Sequence, residues 1–326
     1  EGNQMKAILF DQPGDPLRLG DVPDPQPGQG ELLVRVHATA VNRADLLQRR
    51  GGYAPPPGAS PILGLELAGE VVEGTDSWHT GDRVMAVVTG GSYAEYAVVP
   101  SGVAMRIPEK IGYEEAAAIP EAFITAYLNL FELGGLHGHE SILIHSGGSG
   151  VGSAAIQLAR AEGAFVFTTA SSQAKLDHCK QLGANVLINY KTESFAKRIA
   201  SVTDGRGVSI ILDFVGAPYW NDNLASLSLG GKLMLVGFLG GTTTGDLNIA
   251  TIMAKRLSVV GTTLRGTPLP EKVELTEAFG DYALPLFDSG ELQPVIDKVF
   301  TLADAEQAHA YMQSNASFGK IVLRIP

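Results

Sequence analysis

The chain has 326 residues, 45% of them hydrophobic and 18% charged, with a mean hydropathy of +0.11; this excludes a disordered chain and supplies core for about two domains. Lys and Arg number 24 against 35 Asp and Glu, a net charge of −11, and no basic stripe interleaved with aromatics occurs, so nucleic acid is not an expected partner. No run approaches the roughly 18–20 apolar residues of a membrane span, and residues 1–4 ahead of Met5 read as a remnant with no signal peptide behind it, so the expected compartment is the cytoplasm.

The first 120 residues read as β-rich. Short apolar or alternating runs at 5–10, 31–39, 69–72, 83–88 and 93–99 are bounded by Gly, Pro or Asp, and the proline-rich stretch 11–30 reads as turns. Their irregular spacing suggests a partly open β-barrel. From about residue 121 the rhythm changes to apolar runs alternating with helical periodicity. Strands are expected at 141–145, 165–169, 186–189, 208–213, 232–236 and 257–262, with helices at 150–162, 172–182, 193–201, 219–226 and 249–254. That is the pattern of an α/β doubly wound fold with a six-stranded parallel sheet. The tail, 292–326, returns to strand and helix signals and is expected to pack on the first domain. The expected division is therefore 1–121 with 292–326, and 122–291.

The chain carries one cysteine, Cys179, which reads as a half-buried helix residue, so neither a disulfide nor a dithiol centre is available. Its seven histidines show no close metal-ligand spacing. No Ser-His-Asp or paired-carboxylate arrangement can be defended from spacing, and Trp78, His79, His137, His139 and Trp220 read as surface residues in loops.

The strongest motif follows the strand at 141–145. Ser146-Gly147-Gly148-Ser149-Gly150-Val151-Gly152 runs from that strand into a helix. A glycine turn lets backbone approach a pyrophosphate, and the helix N-terminus supplies free N–H groups and a positive dipole. Ser149 replaces the second glycine of the G-x-G-x-x-G pattern, so its hydroxyl is a candidate contact to phosphate or nicotinamide. The second strand ends Thr168-Thr169-Ala170-Ser171-Ser172 without the acid that reads a free ribose 2′-hydroxyl. Lys175 follows, and Tyr190 ends the third strand. Hydroxyls and a cation suit a 2′-phosphate, so NADPH is expected rather than NADH.

Several further segments carry a family resemblance over essentially the whole chain. Asn42-Arg43-Ala44-Asp45, Gly51-Gly52-Tyr53-Ala54-Pro55-Pro56-Pro57-Gly58, Gly64-Leu65-Glu66 and Ala117-Ala118-Ile119-Pro120-Glu121 stand in order. With the Gly-Ser-Gly-Val-Gly turn, the chain resembles the zinc-independent quinone oxidoreductases of the medium-chain dehydrogenase/reductase superfamily, and within them the tumour-suppressor-inducible subgroup. The resemblance implies a GroES-like barrel, a Rossmann domain and hydride transfer from NADPH to a quinone in a cleft between the two. An enoyl reductase acting on a 2-enoyl thioester or α,β-unsaturated carbonyl uses the same scaffold, and a non-catalytic NADPH-binding protein is the alternative of a different class.

The same resemblance distributes roles. Asn42, Tyr53 and Ser149 are the candidate catalytic residues, with Tyr53 or water as proton source. Asn42 and Thr125 lie toward the nicotinamide and its ribose. Gly147, Ser149, Gly150 and Val151 hold the pyrophosphate, and Ser171, Lys175 and Tyr190 hold the 2′-phosphate. Val215, Gly237, Phe238, Leu239, Thr262, Thr263 and Leu264 line the nicotinamide, while Asn315 and Lys320 reach the cofactor from the tail. Zinc-containing relatives carry Cys where Asn42 stands and His where Leu65 stands, so no metal is expected. Asp45 reads as a helix-cap residue, and Glu66 and Glu121 as acceptors for buried backbone or ribose donors. The expected partners are a small quinone or enone and a second copy of the chain, paired through the last Rossmann strand.

Overall fold

A computed structural model describes residues 3–245 and 247–326; Glu1 and Gly2, half of the remnant ahead of Met5, lie outside the described residues. In chain order, β1 (Gln4–Leu9), β2 (Arg18–Pro23), β3 (Glu31–Val41), α1 (Arg43–Arg49), β4 (Glu66–Glu73), β5 (Arg83–Val87), β6 (Tyr96–Pro100), β7 (Ala104–Arg106), α2 (Tyr113–Ala117) and α3 (Pro120–Tyr127) come first. The alternating stretch follows as β8 (Ser141–Ile144), α4 (Gly150–Ala161), β9 (Phe165–Ala170), α5 (Gln173–Leu182), β10 (Val186–Asn189), α6 (Phe195–Val202), β11 (Val208–Asp213), α7 (Trp220–Ser226), β12 (Leu227–Leu235), α8 (Ile249–Lys255) and β13 (Ser258–Gly261). The chain ends in α9 (Leu269–Ser289), β14 (Ile296–Thr301), α10 (Ala305–Gln313) and β15 (Lys320–Arg324). Two compact units result: Glu1–Ile124 with Leu264–Pro326, and Thr125–Thr263.

The first unit is built around β3, whose 11 residues pair with β4, β6 and β15. Its sheet runs β14-β15-β3-β4-β5-β7, and β1 pairs with β2 alone. Bulges in the β3–β4 pairing between Leu33 and Val34 and between Val36 and Ala38 bend that strand, as a barrel wall requires. The proline-rich stretch read as turns holds β2. That strand alternates between exposed and half-buried residues, so it gives no buried face for a hydrophobic pattern to reveal. Trp78 is another correction: it is 7% exposed and carries Arg106 over its ring at 4.6 Å. The return to this unit begins at Leu264, 292 − 264 = 28 residues before the expected boundary. Helix α9 accounts for most of those residues. Prolines at 268, 270 and 285 give it the look of a loop, yet Leu275, Phe279, Ala283 and Phe287 bury one face, and Phe287 meets Phe123 edge-on at 4.9 Å between ring centres.

The second unit is the expected six-stranded parallel sheet, ordered β10-β9-β8-β11-β12-β13. Leu143, Phe167, Ile188, Ile211 and Leu233 from successive strands fill its core. Their side chains are buried because helices cover a parallel sheet on both faces. The order reverses between β8 and β11, and the carboxyl ends of the strands beside such a switch are where ligands bind in open α/β sheets.

Candidate cofactor and substrate sites

The glycine turn sits at the carboxyl end of β8. Ser146 takes the left-handed conformation at φ 53°, the Gly147 amide donates to the Thr169 carbonyl at 2.9 Å, and the Ser149 amide donates to the Ser146 carbonyl at 2.8 Å. Two glycines are required by crowding. A Cβ on Gly147 would stand 2.2 Å from Thr168 Oγ1 and 2.9 Å from Cys179 Sγ, and one on Gly152 would stand 2.3 Å from the Ser146 carbonyl. These are the close turn and the close helix–strand packing that a dinucleotide turn needs. Ser149 is the N-cap of α4, its Oγ accepting from the Gly152 amide at 2.9 Å. A hydroxyl that accepts still has its own proton to donate, so the cap and a contact to a phosphate are compatible. Cys179 is fully buried, with burial pushing its thiol up to about 12; it is packing rather than chemistry.

The residues expected at the adenosine phosphate lie on neighbouring strand ends. Asn189 of β10 pairs with Ala170 of β9, and the Tyr190 amide donates to the Ala170 carbonyl at 3.3 Å, one residue before Ser171. Tyr190 is 43% exposed. Ser172 caps α5 by accepting from the Lys175 amide at 3.3 Å, which sets the half-buried Lys175 in the first turn beyond these strands. No carboxylate stands at residues 168–172. The geometry therefore offers hydroxyls and an ammonium to an anion.

Beside the turn, a buried polar chain runs in one direction. Asn223 Nδ2 donates to Asp213 Oδ2 at 3.1 Å, so its Oδ1 accepts from His145 Nε2 at 2.8 Å. His145 Nδ1 then accepts the Thr169 hydroxyl at 3.0 Å, and Thr169 Oγ1 accepts the Ser146 amide at 3.2 Å. Burial pushes the His145 imidazole down to about 4, so it is neutral in this role. Asp213 also accepts the amides of Val215 at 2.8 Å and Gly216 at 3.2 Å, and burial pushes it up to about 6. That loop in turn carries 237–240: the Leu239 amide donates to the Phe214 carbonyl at 3.0 Å and the Gly240 amide to the Val215 carbonyl at 2.8 Å. The chain thus ties the glycine turn to Val215, Gly237, Phe238 and Leu239. Sequence reasoning named Thr169 only as a strand-end hydroxyl and missed His145, Asp213 and Asn223, because no spacing rule links residues contributed by two strands, the end of a third and a helix.

Thr125 and Thr262 are gathered by Asn129, whose Nδ2 donates to the Thr125 carbonyl at 2.9 Å and whose Oδ1 accepts the Thr262 hydroxyl at 3.0 Å. Thr263 is exposed beside Thr262.

In the first unit Asn42, Asp45, Glu66, Tyr93, His309 and Lys320 form a second polar centre. Lys320 is 4% exposed and its ammonium donates to Asn42 Oδ1 at 2.7 Å, Glu66 Oε1 at 2.7 Å and the Val41 carbonyl at 3.3 Å. Asn42 Nδ2 donates to Glu66 Oε1 at 2.9 Å, and Glu66 Oε2 accepts the Glu121 amide at 2.9 Å. Asp45 is the capping acid the sequence suggests, accepting the Asn42 amide at 2.8 Å, and it also accepts Gly64 N at 3.1 Å and the Tyr93 hydroxyl at 3.2 Å. Burial pushes Asp45 up to about 6. Burial and the neighbouring Glu66 push Glu121 up to about 8. Lys320, expected to reach a cofactor, is thus committed to Asn42 and Glu66. Asn315, exposed at φ 57°, accepts from Arg43. Leu264 is buried, and Tyr53 is half-buried against the Arg265 guanidinium, 5.1 Å from the ring centre.

Leu65 is buried at 1%, and among the described residues no group of three His, Cys, Asp or Glu side chains is placed to hold a metal ion. No helix among the described residues is long and apolar enough to cross a membrane.

A GroES-like β unit joined to a doubly wound sheet with a glycine turn defines a dehydrogenase scaffold of the medium-chain class. Residues 28–109 match the alcohol dehydrogenase GroES-like domain, and residues 150–312 match the zinc-binding dehydrogenase domain. The chain is 34% identical to a quinone oxidoreductase of Pseudomonas aeruginosa, covering 98% of this chain and 99% of that one. It is 31% identical to the quinone oxidoreductase of Rattus norvegicus, covering 98% and 97%. A mycobacterial structure complexed with NADPH superposes with a TM-score of 0.87 at 30% identity, covering 98% and 99%. The chain belongs to the quinone oxidoreductase family of the medium-chain dehydrogenase/reductase superfamily.

Proposed function

We propose that this protein is an NADPH-dependent quinone reductase that works without a metal. The observation that carries the reading is the end of β9: Ser171, Lys175 and Tyr190 follow the paired ends of β9 and β10, and no carboxylate stands at residues 168–172 to accept a free ribose hydroxyl. When bound, the reduced nicotinamide supplies the hydride. The chain's own residues do the rest. Gly147 and Gly152 let backbone approach the pyrophosphate, while Ser149 donates its free hydroxyl proton there and the α4 N-terminus contributes its dipole. Lys175 gives charge-assisted hydrogen bonds to the 2′-phosphate, with Ser171 and Tyr190. The chain from Ser146 to Gly216 holds Val215 and 237–239 in position for the nicotinamide, joined by Thr125, Thr262 and Thr263. Asn42, oriented by Lys320 and Glu66, and Tyr53 face the substrate. A quinone needs little acid assistance because its reduction is driven by aromatisation, which fits this set.

The enzyme is proposed to act as a homodimer. Strand β13 has β12 on one side only, exposes Val259, and is uncharged along Ser258–Gly261, features that suit pairing with a second copy rather than a bare edge. We place it in the cytoplasm, a reading supported by a lone thiol with no disulfide.

The test is NADPH oxidation against a panel of ortho-quinones, para-quinones, enones and a crotonyl thioester, with and without EDTA. Quinone turnover that prefers NADPH to NADH and is indifferent to EDTA is expected. Saturation of the thioester with quinones inert, or activity lost to EDTA and restored by zinc, overturns the reading.

A further inference from the structure

One buried donor in the first unit has no partner. Arg265 is 5% exposed. Its Nε and Nη2 both donate to the Thr89 carbonyl, at 2.9 and 2.7 Å, so the guanidinium plane is fixed. Its Nη1 is buried and bonds to nothing. No carboxylate among the described residues lies within ion-pair distance of this group. A second buried cation is close by: Lys272, 6% exposed, donates its Nζ proton to the Arg265 carbonyl at 3.2 Å. Tyr53, in the loop Gly51–Gly58, covers the guanidinium with its ring.

An unused N–H on a buried guanidinium is costly, since that donor has left water without a partner, while the charge is met only from a distance by Asp45 and Glu121. Such strain persists where something else on the molecule, or a ligand, recovers it. Thr89 fixes the donor's direction in advance, and Tyr53 keeps water away from it, which are the conditions under which a fixed dipole acts most strongly on a developing charge. The donor's side chain also lies against Tyr53, a residue expected at the substrate.

We propose that Arg265 Nη1 binds the quinone oxygen that becomes negative on reduction, with Tyr53 as the aromatic wall of the same subsite. The proposal rests on the quinone-reductase reading. The quinone takes up a hydride, two electrons and one proton, from the reduced nicotinamide, which leaves as NADP+. The product is a hydroquinone monoanion, and a proton from water completes the hydroquinone. Arg265 hydrogen-bonds the oxygen through the anionic stage and gives up no proton of its own. A substrate whose oxygen already bears charge should therefore bind here most tightly.

The experiment compares wild type with Arg265→Met and Arg265→Lys. Calorimetry measures binding of 2-hydroxy-1,4-naphthoquinone, which is ionised at neutral pH, and of NADPH; steady-state assays measure kcat and KM for 1,4-naphthoquinone. Arg265→Met should weaken the anion by about ten- to a hundredfold and lower kcat/KM comparably, as loss of a charged hydrogen bond predicts, while NADPH affinity stays within about twofold. Arg265→Lys should retain part of the anion affinity, because it keeps the charge but loses the fork. Unchanged anion binding and turnover in a folded, NADPH-binding Arg265→Met protein would overturn the proposal, leaving Arg265 a tie to Thr89 only. If Arg265→Met does not fold, Arg265→Lys decides: anion affinity and turnover equal to wild type count against the subsite. A wild type that turns over no quinone defeats the functional reading instead.

Discussion

In the first unit Lys320 stands 2.7 Å from Glu66 with both side chains buried, and Arg265 and Lys272 are buried within the same unit. The second unit buries its polar groups differently: from Ser146 through Thr169, His145 and Asn223 to Asp213 its internal chain contains no cation. The first arrangement fixes charge in place and makes the unit sensitive to loss of any one partner. The second passes hydrogen bonds in a single direction and leaves its positive potential at the α4 N-terminus, where an anion can use it. A cofactor with three phosphates is suited to the second design. A neutral substrate that becomes anionic is suited to the first.

Breaking the ion pair should give the largest effect. Lys320→Met leaves Glu66 charged and buried, and should cost about 3–5 kcal/mol in urea unfolding. Lys320→Met with Glu66→Gln should recover most of it; equal loss in the double variant would mean that packing, not charge, sets the cost. Along the second unit's chain, the loss of Asn223 still leaves Asp213 the Val215 and Gly216 amides, so a smaller cost is expected there.

The next largest effect lies at the other unit's surface. Lys175→Ala should weaken NADPH by about ten- to a hundredfold, roughly 1.4–2.8 kcal/mol, for a charge-assisted contact. NADH should barely change. Titrations that show equal losses for both dinucleotides would remove Lys175 from the 2′-phosphate.

Ser149 separates cap from cofactor. Ser149→Val removes the bond to the Gly152 amide and the donor to phosphate together, and should cost about 0.5–2 kcal/mol of stability as well as NADPH affinity. Ser149→Gly should cost only a few tenths in stability, about 0.3 kcal/mol, and keep most binding. Wild-type melting, affinity and rate in the valine protein would make Ser149 a spacer.

The smallest effect is a pH trend whose sign differs between the buried acids and the buried imidazoles. Burial raises Asp45 to about 6 and Glu121 to about 8, so their protonated forms favour the fold; that stability is complete below their ordinary values and is lost as pH rises through 6 and then 8. Burial lowers His145 to about 4, so its contribution is complete above its ordinary value and is lost as pH falls toward 4. Glu121→Gln should flatten the alkaline decline in melting temperature between about pH 6 and 9, since it removes the carboxyl that burial holds protonated. An unchanged slope would show that Glu121 does not titrate with folding.

What the sequence determined was local. The strand, glycine turn and helix at 141–162 were legible because the motif is contiguous in sequence, and the parallel sheet because strands buried on both faces are continuous apolar runs. The absence of an acid at 168–172, with Lys175 a few residues beyond, was legible for the same reason. Only the tertiary structure decided what distant segments share. It brought Asp213, Asn223 and Thr169 to His145, set Arg265 on Thr89 under Tyr53, turned Lys320 inward to Glu66, and returned the chain to the first unit at Leu264 through a helix punctuated by prolines. Hydrogen bonds and buried charges depend on distances of about 3 Å, and a distance between residues far apart in sequence exists only once the chain has folded.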